Sequence, residues 1–289
     1  MLRQRIITAV ILLAVFLPTL FHPDTRPFFA LTLLLMAAAA WEWGRLNGLG
    51  RAVASAFGLL FVLVCAVSWL VGLLDRNLSG LWSLTGLIWV LGGGLLLARG
   101  QAAWHDLSQV LRCALGLLLL WAAWLAVAQA RALGIDMLLS VLTLVWVADV
   151  AAYFVGRAWG GRLIQRKLAP AISPGKTWEG ALGGALAVLL LGLVWSAVET
   201  RLEWPMAERG LHGQLLDRHG GIVMALALLF LAAMSVVGDL FESLLKRNAG
   251  VKDSSRLLPG HGGVLDRVDA LLPVLPLAMM LLSYRGPGL

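Results

Sequence analysis

The chain has 289 residues, 60% of them hydrophobic and 13% charged, with a net charge of +7. A soluble domain carries about 25% charged residues, so this composition excludes an ordinary soluble fold. The cations sit in short segments between apolar runs, which points to anionic lipid head groups and membrane orientation and gives no nucleic-acid partner.

A membrane span needs about 20 mostly apolar residues. Nine runs qualify: 6–22, 27–48, 52–74, 81–98, 108–130, 136–157, 178–198, 220–245 and 265–284. They predict an all-α, polytopic integral membrane helical bundle of about nine transmembrane helices, forming a single transmembrane domain over 1–289. The first run follows Met1-Leu-Arg-Gln-Arg and lacks an A-x-A cleavage pattern, so it is expected to stay as an uncleaved helix. In the second run Glu42 is a lone carboxylate between Trp41 and Trp43, and a cation on a neighbouring helix is its expected partner. The fourth run is short and carries Gly92-Gly93-Gly94. Residues 102–112 predict an amphipathic turn on the inner surface, and 199–219 a solvated outer loop with Trp204 at the interface. Gly180-x-x-x-Gly184 predicts a close helix contact. Cys65 and Cys113 lie in apolar runs and read as small hydrophobes.

Placing the N-terminus in the cytoplasm puts sixteen of the 23 lysines and arginines on inner flanks and seven, Arg285 among them, on outer ones. Positive residues gather on the cytoplasmic side. The polar segments 157–177 and 246–264 then share that side, where both can meet a cytosolic substrate.

Chemistry-bearing residues concentrate in 146–180 and 238–269. Asp239, Glu242, Ser243 and Lys246 fall on one helical face, and Asp266 and Asp269, three apart, project together from the start of the last span. Carboxylates converging from two helices repel unless a cation sits between them, and Mg²⁺, which prefers oxygen ligands and substrate phosphates, is the expected occupant. Lys246, Arg247, Lys252, Arg256 and Arg267 supply a cationic lining suited to polyphosphate. His261-Gly262-Gly263 precedes a helix N-terminus, where glycine N–H groups can approach an anion closely; His261 itself reads as positioning a phosphate or bonding the turn. On the other loop, Asp149, Tyr153 and Arg157 share a face, and Ser173-Pro-Gly-Lys176-Thr177 feeds a lysine into a helix start, with Ser173 or Thr177 as cap. Gly175-Lys176-Thr177 is not a P-loop, because Pro170 stands where the first glycine is needed and no strand precedes it. Carboxylates for metal and cations for phosphate at the inner face indicate phosphoryl or nucleotidyl transfer.

These residues also carry a resemblance. The stretch Ser243 to Asp269 reads S-x-x-K-R, four residues, K-D, then P-x-H-G-G-x-x-D-R-x-D, and it resembles the signature of the phosphatidate cytidylyltransferases, or CDP-diacylglycerol synthases. The lead-in G-D-L-F-E, the run D-x-x-A-Y-x-x-G-R at 149–157 and S-P-x-K-T-W-E-G at 173–180 are similar to that family too. The N-terminal half agrees only in being a series of apolar spans. The resemblance implies transfer of CMP from CTP to phosphatidic acid, giving CDP-diacylglycerol and pyrophosphate, with Mg²⁺ required and a homodimer as the common assembly. It implies Asp239, Asp266 and Asp269 as metal ligands, with room for a second cation. Lys246, Arg247 and Lys252 would hold the CTP phosphates, with Ser173 and Lys176 near them. The expected location is the bacterial cytoplasmic (inner) membrane, with the active site facing the cytoplasm.

Three other readings compete. A cytidylyltransferase for an isoprenoid ether-lipid phosphate would share all these residues. A CDP-alcohol phosphotransferase would need D-x-x-D-G-x-x-A-R, which is absent. An ion-coupled transporter using Asp149 and Asp239 would call for paired broken helices.

Overall fold

The computed structural model of the chain describes residues 2–284; Met1 and 285–289, with Arg285 of the outer flank, lie outside them. The chain runs α1 (Leu2–Phe21), α2 (Arg26–Leu46), α3 (Arg51–Leu70) and α4 (Ser79–Leu87). A π-helical turn at Ile88–Gly93 leads into α5 (Gly94–Arg99) and the short α6 (Gln101–His105). Then come α7 (Gln109–Leu133), α8 (Ile135–Trp159), α9 (Trp178–Arg201), α10 (Leu211–Asn248), α11 (Leu265–Val268) and α12 (Leu271–Ser283). No strand occurs among the described residues, and 8 helical segments are long and apolar enough to cross a membrane.

Successive segments alternate between two ends of one bundle. At the first end, Gln109 donates to the Asn47 carbonyl (2.9 Å) and Thr8 to the Pro259 carbonyl (2.9 Å). At the second, Arg131 donates to the carbonyls of Leu20 (2.9 Å) and His22 (2.8 Å), and Gln129 to those of Leu74 (3.0 Å) and Arg76 (2.9 Å). The segments 160–177 and 249–264 both lie at the first end, where Arg247 Nε donates to the Ile172 carbonyl (3.3 Å).

The ninth expected span, 265–284, is broken into α11 and the 13-residue α12, which carries Pro276 inside it. Its second half is apolar on almost every side and packs against α4, α7, α8 and α10, as a helix that is hydrophobic all round should. Because this pass is encased by protein, irregular backbone is tolerated where it begins. That break places Asp266 and Asp269 inside the bundle.

Two expectations are corrected. α10 begins at Leu211, not near 220, and bends at Gly220, whose φ of 81° favours glycine. The outer segment is therefore not one solvated loop. Buried Glu199 accepts from Gly210 N (2.7 Å) and Trp195 Nε1 (2.9 Å), and buried Ser140 accepts from Leu211 N (2.8 Å), so the start of α10 is capped inside the protein. Within 102–112 Trp104 alone is buried, against Trp43 and Phe241 with ring centroids 6.0 and 5.3 Å away, and the other side chains of the segment are exposed or half-exposed. Gly180 and Gly184 do make a close helix contact, since a Cβ there would come within 2.7 Å of the Ala152 and Ala148 carbonyl oxygens of α8. Cys65 and Cys113 are free thiols.

Candidate active site

α8, α9 and α10 line a half-open cavity of about 740 Å³ at the first end of the bundle, to which the start of the last pass adds Asp266, Arg267 and Asp269. Each wall contributes polar groups through a simple local device. On α8, Asp149, Tyr153 and Arg157 repeat every fourth residue and face one way; Arg157 Nη1 donates to the Tyr153 hydroxyl (2.9 Å). On the 160–177 loop a tight turn (Lys176 N to Ser173 O, 3.2 Å) hands over to the Thr177 N-cap, whose hydroxyl accepts from Gly180 N (3.1 Å). Lys176 is held between turn and cap, and its ammonium pairs with Asp239 of α10. Glu179 secures the same loop, its Oε1 accepting from Gly161 N (3.0 Å), Leu163 N (3.0 Å) and Ile164 N (2.9 Å).

Asp149, Asp239 and Asp269 line this cavity together and lie close enough for their charges to repel one another. Lys176 pairs directly with Asp239 and its charge also reaches Asp149. Asp269 accepts from its neighbour Ala270 N (2.8 Å), and among the described residues neither it nor Asp149 has a cationic partner. No three His, Cys, Asp or Glu side chains among the described residues close on one point. The set is a wall of carboxylates, which is how Mg²⁺ is commonly held, by one or two carboxylates completed by substrate phosphates.

Asp266, expected as a third ligand, is engaged differently. Its Oδ1 accepts from Lys246 Nζ (2.6 Å), and its Oδ2 from Ser254 N (2.9 Å), Ser254 Oγ (2.8 Å) and Gly263 N (2.8 Å). Lys246 also pairs with buried Glu242, so this cation is locked between two carboxylates beneath the cavity wall. An incoming ion would have to displace Lys246 to reach Asp266 Oδ1.

The N–H groups after His261-Gly262-Gly263 have an anion at hand, and it belongs to the protein. Glu42, wholly buried on α2, accepts from Val264 N (2.9 Å), Leu265 N (2.6 Å), Ser254 Oγ (3.2 Å) and Ser255 Oγ (2.5 Å). It caps the last pass inside the protein, so its partners are backbone amides and hydroxyls where a neighbouring cation was expected. Gly263 has to be glycine here, since a Cβ would fall 2.1 Å from Ser254 Oγ and 2.3 Å from Glu42 Oε1. The sequence signal for Glu42 was its cost, a lone carboxylate among apolar residues.

From the expected set the structure brings Asp149, Arg157, Ser173, Lys176, Asp239, Asp266, Arg267 and Asp269 to the cavity wall. It does not bring Lys246, Arg247, Lys252, His261, Gly262 or Gly263 there. Arg247 and Lys252 are exposed at the same end, and His261 serves through its backbone carbonyl, which accepts from Arg267 Nη2 (2.8 Å). A second cavity of about 620 Å³ at the other end of the bundle holds one carboxylate, Asp75, and none of the expected residues.

The spacing of Asp239 and Asp269 depends on a bare backbone at Gly238. A Cβ there would lie 2.4 Å from the Asp269 carbonyl oxygen and 2.9 Å from the Pro273 ring. Gly238→Ala is therefore expected to wedge α10 from the last pass, costing about 1–3 kcal/mol of stability. Activity should fall at least tenfold, because misplacing reacting groups by about 1 Å can cost 10²-fold. Thermal unfolding and turnover measured on the same preparation check this; a variant as active as the parent would show that the spacing is not critical.

A model of the cytidylyltransferase family matches residues 3–285. The phosphatidate cytidylyltransferase of Pseudomonas aeruginosa is 38% identical over 296 aligned positions, covering 100% of this chain and 99% of that protein. Its namesake in Haemophilus influenzae is 35% identical over 295 positions, with 96% of each chain covered. That of Staphylococcus saprophyticus is 31% identical over 288 positions, covering 97% of this chain and 99% of the other.

Proposed function

The chain belongs to the cytidylyltransferase family, and we infer from that membership and from the cavity that it is a CTP:phosphatidate cytidylyltransferase. It transfers CMP from CTP to phosphatidic acid, giving CDP-diacylglycerol and pyrophosphate in phospholipid biosynthesis. One observation supports this reading most: carboxylates and cations line a single cavity between apolar helices, at the end where both long polar loops gather. A transporter has no use for such a cluster at one face only.

In this reading the N-terminus and the cavity mouth face the cytoplasm and the protein sits in the bacterial inner membrane, in keeping with the excess of cations on those flanks. CTP enters from the cytosol, and the phosphate of phosphatidic acid enters sideways from the inner leaflet. Arg157, Lys176 and Arg267 lie along the cavity and offset the charge of two anions that would otherwise repel. A phosphatidate oxygen attacks the α-phosphorus of CTP in line, forming the new P–O bond as the bond to the β-phosphate oxygen breaks and pyrophosphate leaves. The attacking oxygen is already ionised at neutral pH, so no strong general base is needed, and positioning and charge stabilisation carry the rate. Asp239 and Asp269 would hold Mg²⁺, with Asp149 beside them and space for a second cation. Bound there, the metal would neutralise phosphate charge and act as a Lewis acid. The enzyme works as a homodimer, as its resemblance to the family implies.

The test is pyrophosphate release by the purified protein in detergent micelles with CTP and phosphatidic acid. Release is expected to require the lipid, to stop on chelation of divalent cations and to return with Mg²⁺. Full release in the presence of chelator would remove the metal from this reading. No release with any lipid phosphate would overturn the transferase itself.

A further inference from the structure

The segment joining α8 to α9 does more than supply cavity residues. Arg157 just before it and Ser173, Lys176 and Thr177 at its close line the cavity, and Leu168 N donates to the Lys176 carbonyl (3.1 Å) across its base. The part between, 162–167, projects from the protein with every side chain exposed. Two of those side chains are large and apolar: Leu163, 82% exposed, and Ile164. On a membrane-spanning helix such exposure is explained by lipid. At the tip of a polar loop it marks a surface that meets something else.

This tip is held, and held at a particular level. The N–H groups of Gly161, Leu163 and Ile164 all donate to one oxygen of Glu179. Glu179 lies in the first turn of α9, next to exposed Trp178, and Trp159 at the end of α8 is exposed as well. Tryptophans at the ends of spanning helices sit at the level of the lipid head groups. The three amide bonds therefore draw the tip back to that level and fix its apolar pair outwards.

Charge completes the pattern. Arg162, Arg166 and Lys167 flank Leu163 and Ile164, and the chain has no carboxylate between Asp149 and Glu179. Apolar residues at the centre, cations around them and indoles beside them suit an anionic lipid surface. An acidic protein would match the cations and leave the level of the tip, between two tryptophans at helix ends, without a reason. We propose that 162–167 is a membrane-docking lip, with Leu163 and Ile164 inserted among the lipids beside the cavity and Arg162, Arg166 and Lys167 gathering anionic head groups there. On the transferase reading, on which this second role rests, the lipid gathered is phosphatidic acid, concentrated next to Arg157 and Lys176.

Two measurements test the lip, and the first needs no turnover. Leu163→Cys, in a Cys65→Ala/Cys113→Ala background, carries an environment-sensitive fluorophore in phosphatidylcholine vesicles with and without phosphatidic acid. Its emission should shift to the blue and be quenched by a lipid-borne quencher, more strongly when phosphatidic acid is present. A label left in water overturns the docking. So does a label shielded from water but out of reach of the lipid quencher, as it would be under a protein partner.

The second measurement is kinetic. Replacing Arg162, Arg166 and Lys167 together by glutamine should raise the KM for phosphatidic acid in such vesicles at least about fivefold, the factor that one cation is worth near an anionic surface. The kcat, the KM for CTP and the unfolding temperature should stay at the parent's values, because these side chains are exposed and form no ion pair among the described residues. Added salt should shrink the difference. An unchanged KM for the lipid, or a fall in kcat alone, overturns the gathering role. A tip that enters the membrane in a protein that turns over no lipid phosphate upholds the docking and overturns the transferase reading.

Discussion

Asp239→Asn is expected to lower kcat by on the order of 10²–10³-fold while the protein stays folded. Asp239 is the carboxylate on which the cavity turns: it faces Lys176 across the opening, Ser243 Oγ lies 3.4 Å from its Oδ1, and Asp149 and Asp269 stand within repelling distance. Asparagine keeps the shape and removes the charge. Lys176 is then left without its counter-ion, but both side chains of the pair are only partly buried, with 24% and 30% exposure. Solvent therefore limits the cost to stability. Single-turnover pyrophosphate release beside thermal unfolding in the same detergent separates the two effects. Near-parent kcat would place Asp239 outside the reacting centre, and a matching collapse of stability would make it a packing residue.

The second large effect is expected at Glu42, on the far side of the catalytic segment. Glu42→Ala strands the N–H groups of Val264 and Leu265 in the interior, whereas half-buried Ser255 can turn to solvent and Ser254 keeps Asp266. Each buried amide left unpaired costs about 1–3 kcal/mol, so two of them should remove about 2–6 kcal/mol. The loss should appear as a much lower unfolding temperature and poor recovery from the membrane. Glu42→Gln retains one carbonyl oxygen as acceptor and should fall between. Activity should follow the same order, since the cap holds the turn from which Asp266 and Asp269 project. If Glu42→Ala unfolded at the parent's temperature with full turnover, the last pass would have to be held by its apolar packing alone.

Those two residues show where sequence reading succeeded and where it stopped. Asp239 was legible because several independent features pointed at it: a charge at membrane depth, a helical face shared with Glu242, Ser243 and Lys246, and a long motif running to Asp269. Glu42 was visible as an anomaly and unreadable as a function. Its partners are 212 to 223 positions away in the chain, and no local spacing encodes an amide that another helix will cap. The same distance hid the fate of the cations. Lys246 and Lys176 look alike in the sequence reading, each a lysine assigned to a nucleotide phosphate. Folding locks the first between Glu242 and Asp266, and leaves the second in the cavity wall against Asp239.

The division follows from the range of the forces involved. Apolar length, helical periodicity and the bias of lysine and arginine are local, and they determined by themselves that this chain is an all-helical membrane bundle. They also marked 146–180 and 238–269 as the stretches that carry chemistry. Which carboxylates face the cavity and which already hold a protein donor depend on how α8, α9, α10 and the broken last pass come together. Burial turns each such polar group into a question of partners, and only the tertiary structure supplies them.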